Sequence, residues 1–481
     1  MRWPESAVPV RMQRVAFVAP SVGLRDALVR IADAAAVEFD RDITTQEGND
    51  EARLLRGSLT QQAAAQLSPV RPDLEGLARS GRYDLLAGEA QLRAYAAAAL
   101  ERSGAAALAG WMPTRRLPAV AAQLAEIGGA VVPLTPPAGS LAPTLLAGRG
   151  LHQDLAPLVQ TYGTVPYADL DPSWLAWASY VLMFGIMFGD AGQGLLLIGV
   201  AVALRAGWPS WLRRFRMAWP FVGGAGLAAT AFGLLYGEFF GPTGVVPVIW
   251  LSPLARPVTL LLAAAGFGAV LLAGAYALGV INRWREGGWQ SALYAPSGIA
   301  GSSLFVGAGA AAGGWYLHLV VLLIAGVVIA GSGLGLAFAG FLAEAGGGGT
   351  ALVQASVEAV DLVVRLGSNV VSFTRLAAFG LTHAALGFLV WEGTMALWHR
   401  GGALAAAGVL VFAAGTALAF SLEALVAAIQ ALRLEYYELF SRVFVGQGEP
   451  FRPWHVPTAA ETQELGLAPS AAALSIKGAG T

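Results

Sequence analysis

The sequence predicts an α-helical polytopic membrane protein with a small α/β domain at its amino-terminal end, and three observations predict it. Of its 481 residues, 56% are hydrophobic and 13% charged, with a mean hydropathy of +0.60, far more apolar than an ordinary soluble domain. Charge is unevenly spread, because 34 of the 61 Asp, Glu, Lys and Arg residues lie in residues 1–172. From Trp174 onward apolar runs dominate, so a water-exposed first third precedes a membrane-buried remainder.

Taking the elements in order, Val15 and Phe17 alternate with small or polar neighbours. Ser21 stands where it can cap a helix carrying Leu24, Leu28 and Ile31 on one face, and 37–39 reads as extended, giving a β-α-β signal. Residues 51–103 have helical spacing broken near Pro69 and Pro72, which predicts a helical hairpin. A second strand-helix-strand follows, with 108–112 extended, a helix after Pro118, and 130–134 extended, so the domain reads as ferredoxin-like halves plus the hairpin. The Pro/Gly-rich run from Pro133 to Gly150 reads as a linker. The resulting division is 1–150 for this domain, 151–172 for a linker, 173–445 for the transmembrane part and 446–481 for a tail. No apolar stretch in the first 20 residues is long enough for a secretory signal, so the expectation is that both termini face the cytoplasm.

The stretch 174–204 is interrupted by Gly189-Asp190-Ala191-Gly192-Gln193-Gly194 and reads as two short helices joined by a tight turn that Asp190 caps. Further crossings are expected near 218–240, 258–281, 294–314, 317–342, 359–398 and 404–440, about eight in all. Loops then inside carry Arg205, Arg213, Arg214, Arg216, Arg283 and Arg285, and loops outside carry Arg256 and Arg400, as the positive-inside rule prefers. The last two helices are roughly twice the ~20 residues a crossing needs, so they must tilt or project beyond the bilayer. Gly309 with Gly313, and Gly331 with Gly335, are spaced to let the fifth and sixth helices pack closely.

Several function classes are excluded. The sole lysine, Lys477, follows Ile476 and no Gly-rich turn, so there is no P-loop, and no H-E-x-x-H or G-x-S-x-G pattern occurs. A net charge of −1 with no clustered basic face argues against nucleic acid. With no Cys, thiolate catalysis and Cys-ligated metal are out, and no cofactor, metal or catalytic residue is expected.

What remains are charges inside apolar helices. Each costs ~2.5–3.5 kcal/mol near mid-bilayer on insertion scales, so it tends to face protein or water and to carry function. Ser368, Ser372 and Arg375 recur at i, i+4 and i+7, with His383 two turns on, and Glu423, Gln430 and Arg433 recur at i, i+7 and i+10. Two such stripes facing each other would make a polar seam. Arg375 carries a permanent charge, because a guanidinium keeps its proton where a buried Lys sheds it. The plainer alternative is that Arg375 and Arg433 pair with Glu423, Glu358 or Asp361 to hold the bundle together. Glu358, Asp361 and Arg365 read as a solvated or salt-bridged face.

The segment Ser372-Phe373-Thr374-Arg375-Leu376-Ala377-Ala378-Phe379-Gly380-Leu381-Thr382-His383 resembles the S-Y-x-R-L-x-A-L-x-L-A-H motif of V/A-type ATPase subunit a, also called subunit I. Residues 422–434 resemble its L-E-x-L-V-A-x-I-Q-A-L-R-L helix, and 184–192, 235–241 and 446–451 resemble further family signatures. Phe373 stands where the motif has Tyr, and the cytoplasmic domain is about half the family's usual length.

The resemblance implies the membrane stator subunit of a rotary ATPase, with no nucleotide site of its own. It would couple proton or sodium translocation to ATP hydrolysis or synthesis against a proteolipid c-ring. Arg375 would face the ring carboxylate between two half-channels, flanked by Arg433 and Gln430, with Glu423 and His383 relaying protons. Ser372, Ser368 and Ser421 could line water, and Glu238 would sit at the mouth of the outer half-channel. Peripheral and central stalk subunits, the ring and the bilayer would be its partners, in a prokaryotic cell membrane. The rival readings are a secondary ion-coupled transporter, which should show a second copy of the Arg375 segment, and a non-conducting scaffold of a rotary complex.

Overall fold

The computed structural model describes residues 8–40, 67–80, 82–137, 140–146, 163–346, 348–443 and 448–456. They fall into two compact units, one built from 9–146 with 448–456 and the other from 163–443.

The first unit is organised on strand β1 (Met12–Pro20), whose Val15, Phe17 and Ala19 are buried at the strand period of two. α1 (Leu24–Ala34) covers the sheet through Ala27, Leu28, Ile31 and Ala32. Ser21 does not cap it. Ser21 opens a 3-10 turn, and α1 begins after Gly23 with no side-chain cap. β2 (Glu38–Phe39) follows, then α2 (Leu74–Arg79), α3 (Tyr83–Ala98) and β3 (Leu100–Arg102). The first part of the expected helical hairpin, 51–66, lies outside the described residues.

β4 (Ala105–Pro113), α4 (Leu117–Ala125, with Pro118 in its first turn) and β5 (Ala130–Pro133) complete the unit. β1 pairs antiparallel with β4 from Met12↔Pro113 to Pro20↔Ala105 and with β5 from Val15↔Pro133 to Val18↔Ala130, giving the order β2-β4-β1-β5 with β3 also on β4. The two β-α-β pieces thus interleave in a single sheet of ferredoxin-like order. Residues 448–456 are part of this unit. Phe451 N–H donates to the Thr144 carbonyl at 3.0 Å, and Trp454 is buried against Phe39 and Tyr95.

The second unit is helical. α5 (Ser173–Phe188) and α6 (Ala191–Ala206) are the two short helices expected, joined at Gly189-Asp190. A 3-10 segment (Ser210–Ala218) leads into α7 (Trp219–Tyr236), followed by α8 (Pro257–Tyr294), interrupted at Gly288, and by α9 (Ile299–Tyr316) and α10 (Val320–Glu344). α11 (Gly349–Ser372), α12 (Thr374–Trp398) and α13 (Gly402–Leu434) come next, then a π-helical turn (Glu435–Phe440) and α14 (Ser441–Val443).

Among the described residues five stretches are long and apolar enough to cross a membrane: Phe215–Tyr236, Pro257–Tyr294, Val320–Glu344, Gly349–Trp398 and Gly402–Val443. The eight expected crossings are not confirmed. Two candidates, α5 and α6, have only 16 residues each, and α9 is diluted by Gly and Ala. The helix expected over 359–398 instead starts at Gly349 and is divided at Phe373, whose N–H turns back to the Val370 carbonyl in a tightened 3-10 step.

α9 and α10 form a close hairpin, through other glycines than those expected. A Cβ on Gly309, Gly313, Gly331 or Gly335 would meet open space. One on Gly326 would lie 2.7 Å from the Gly307 carbonyl oxygen, so Gly307 and Gly326 mark the contact face.

Candidate functional site

The turn between α5 and α6 places a fully buried acid. Asp190 has extended backbone and accepts from the Gln193 N–H at 2.9 Å, capping α6 as expected. Its carboxylate also accepts from Phe240 N–H at 3.0 Å and Gly241 N–H at 2.7 Å. It therefore pins the loop after α7, which carries Glu238. Gly241 has φ +93°, and a Cβ there would lie 3.0 Å from the Gly387 carbonyl of α12, so only glycine lets this loop meet that helix.

Across this contact His383 of α12 is 4% exposed, its ring 4.9 Å from that of Phe188, and its Nδ1 pairs with Glu423 of α13. One ligand-type atom each of Asp190, Glu238 and His383 lie within 4.8 Å of one another, a spacing open to a metal ion in principle. Asp190 is already committed to three backbone donors, so the group reads better as two carboxylates and an imidazole able to pass a proton. Glu238 is buried here, inside the cluster, whereas the sequence placed it at an open mouth.

A second polar cluster surrounds Arg375. Its guanidinium donates to Ser372 Oγ, which in turn donates to Glu438, and Arg375 Nη2 stands 3.9 Å from Glu438 Oε1. With its nitrogen oriented toward Glu438 Oε2 at 2.9 Å, the Asn369 amide accepts from Arg442 at 2.8 Å. Arg375 is a quarter exposed, and its Nη1 is buried without a hydrogen-bond partner among the described residues. Gln430 Oε1 and Glu423 Oε1 are likewise buried and unpaired. Arg433 is exposed. Nearby, Glu435 of the π turn is buried and accepts from Ser179 Oγ of α5 at 2.6 Å.

The partners proposed for Arg375 in the plain bundle-holding alternative are all engaged elsewhere. Glu423 is on His383, Asp361 binds Arg365 at 2.6 Å and Glu358 accepts from Gln354 at 3.0 Å on an exposed face. Ser368 is exposed, and Ser421 donates back to the Ala417 carbonyl at 2.7 Å. The structure thus joins His383 to Glu423 and Ser372 to Arg375, and leaves Ser368 and Ser421 out. Sequence reasoning missed Glu435 and Glu438, although both are acids within an apolar helix, the same signal that singled out Glu423.

A third group lies ahead of α5. Asn282 of α8 accepts from the Leu170 N–H at 3.0 Å and donates to the Val443 carbonyl at 3.2 Å, tying three segments together. Beside it Asp169 is fully buried. Burial, then the adjacent Glu286 carboxyl, push its pKa up to about 8, with Arg283 and Arg285 pulling the other way.

The V-type ATPase 116kDa subunit family model matches residues 98–214 and 345–456, which include every site residue above except Glu238, Phe240, Gly241, Asn282, Arg283, Arg285 and Glu286. The chain is similar to the A-type ATP synthase subunit I of Aeropyrum pernix, 29% identical over 346 residues, 62% of this chain and 49% of that protein. The A-type ATP synthase subunit I of Halobacterium salinarum is 26% identical over 384 residues, 65% of this chain and 51% of its own length. The V-type ATP synthase subunit I 2 of Treponema pallidum is 39% identical over 105 residues, 22% of each chain. The chain spans about half the length of the archaeal relatives it matches.

Proposed function

Because residues 98–214 and 345–456 match the V-type ATPase 116kDa subunit family model, we propose that the chain is a member of that family and the membrane stator subunit of a rotary ATPase, carrying protons or sodium ions past a proteolipid ring. The observation that carries this reading is Arg375 at the start of α12 inside one polar cluster (Ser372, Asn369, Glu438), with a second (Asp190, Glu238, His383, Glu423) further along α12 and α13. His383 follows Arg375 by eight residues, ~12 Å along α12 at the helical rise. Glu435 and Glu438 follow Arg433 at the other end of α13.

In this reading Asp190, Glu238, His383 and Glu423 form one half-channel, through which carboxyl and imidazole groups pass the ion inward in steps. Glu435, Ser179, Ser372, Asn369 and Glu438 line the other. Arg375 stands between them. As a ring carboxylate arrives, the unneutralisable guanidinium favours its charged form and so makes it release its ion. The ion cannot pass straight through, and the ring must turn before the next exchange. Each 100 mV across the membrane contributes ~2.3 kcal/mol per charge moved, so several ions per ATP suffice for coupling. Both termini are assigned to the cytoplasm, following the arginine asymmetry of the loops.

The test is Arg375→Ala in the assembled complex. ATP-driven ion uptake into vesicles is expected to vanish while the detached soluble head still hydrolyses nucleotide, and normal uptake would overturn the mechanism. Purification of the chain with a proteolipid ring and stalk subunits is the outcome expected of a stator, and isolation of the chain alone that of a transporter.

A further inference from the structure

The connection between α6 and α7 carries a feature that ion transport does not use. From Ala191 to Gly237 the sequence holds no Asp or Glu, yet Arg205, Arg213, Arg214 and Arg216 fall close together. Arg205, Arg213 and Arg216 are exposed, and none is ion-paired among the described residues. Between and beside them Trp208 is 76% exposed and Trp211 66%, with Phe215 and Met217 also exposed. The Arg205 guanidinium stacks 4.6 Å over the Trp219 ring, and the Arg213 stem lies against Gly207.

Both halves of this composition need an explanation. Large indole rings facing water are costly, whereas at a membrane surface they rest at headgroup level with the ring body against acyl chains. Guanidinium groups without acidic partners suit phosphate, which they bind in a two-pronged fashion while their stems run along apolar surface. A soluble phosphate compound would satisfy the arginines and leave Trp208 and Trp211 uncovered, and a neutral lipid would do the reverse.

We propose that the Ser210–Ala218 segment, with Trp208 and Arg205, is a binding surface for anionic phospholipid, Arg205, Arg213 and Arg216 taking the headgroup phosphate and Trp208 and Trp211 seated in the interface. The assignment is independent of the rotary reading.

The experiment uses the full chain in detergent, offered dioleoylphosphatidylglycerol or dioleoylphosphatidylcholine, with bound lipid counted by native mass spectrometry. The wild type is expected to retain the glycerol lipid in preference. Arg213→Ala/Arg216→Ala should lower that preference about thirty-fold, the conversion of about 1 kcal/mol per arginine. Arg213→Lys/Arg216→Lys should keep most of it, which separates loss of charge from loss of fold. Trp208→Ala/Trp211→Ala should weaken retention of both lipids alike, and Arg115→Ala/Arg116→Ala in the sheet unit should change neither. A wild type without preference, an unchanged Arg213→Ala/Arg216→Ala variant, or displacement of the lipid by inorganic phosphate at equal concentration would each overturn the proposal.

Discussion

The two polar clusters on α12 and α13 differ in how completely their charges are held. Around His383, Asp190 is fixed by three backbone N–H groups, His383 by Glu423 and the Phe188 ring, and little of any of them reaches the surface. Around Arg375, one guanidinium nitrogen has no partner among the described residues, and Glu438 stands beyond hydrogen-bond distance at 3.9 Å. The first cluster is closed, with His383 4% exposed, and the second is open on one side, with the Arg375 side chain 25% exposed; in the proposed mechanism the open side meets a carboxylate from outside the chain. An arginine held only by a serine and a distant acid retains most of its attraction for a further anion, which is what a moving partner needs.

The largest effects should fall on the open cluster. Arg375→Lys keeps a cation on paper, but lysine sheds its proton when desolvated and lacks the planar fork, so ion uptake by the reconstituted complex should drop by about two orders of magnitude. Uptake near the wild-type rate would show that a permanent charge is not required.

In the closed cluster the cost should appear as stability. Asp190→Ala orphans the N–H groups of Gln193, Phe240 and Gly241, and ~3 kcal/mol of destabilisation is expected in thermal unfolding of the purified chain. A loss below ~1 kcal/mol would mean that packing, and not this carboxylate, holds the turn.

The closed cluster should also behave as a unit. His383→Gln and Glu423→Gln are each expected to slow uptake about ten-fold, and the double variant little further, because each removes the same pair. Multiplicative losses would show that the two residues act separately.

Asp169 offers a carboxyl held in neither way, with burial as its main influence, the Glu286 carboxyl beside it, and no N–H or hydroxyl donor on either oxygen among the described residues. The folded chain holds a proton there up to about pH 8, whereas the unfolded chain releases it near the ordinary aspartate value of 3.8. The folded state thus binds more protons in that window, and stability falls as pH rises through it. Asp169→Asn should remove this slope, matching the wild type near pH 4 and exceeding it above pH 8 by up to ~6 kcal/mol, at ~1.4 kcal/mol per pH unit between the two values. Parallel stability curves for the two proteins would refute the assignment.

How much of this was legible follows from what periodicity can carry. Arg375, His383, Glu423, Gln430 and Arg433 stood out because polar groups recurring on one face of an apolar helix are legible from their spacing, and Asp190 because a Gly-rich turn needs a cap. Glu438 did not, because at 100° per residue it lies about 140° round the helix from Arg433, and the π turn that alters this phase leaves no mark in composition. The glycine spacings failed for a related reason. Both faces of α9 and α10 carry glycines, and sequence gives the spacing without saying which face meets the partner. The strands were read correctly where burial alternates over several residues, but the pairing that merges two β-α-β pieces into one sheet is long-range and has no local signal.

The smallest predicted effect separates the two serines that sequence could not rank. Ser372 joins Arg375 to Glu438, so its hydroxyl relays between a cation and an acid across two helices. Ser421 donates to Ala417 of its own helix, a local bond that alanine replaces with little loss. Removing one relayed hydrogen bond should cost ~1 kcal/mol, which corresponds to about a five-fold slower uptake for Ser372→Ala. Ser421→Ala should be indistinguishable from the wild type in the same assay. Equal losses in the two variants would mean that the hydroxyls act by wetting a common path, and that the Arg375–Glu438 link does not set the position of the guanidinium.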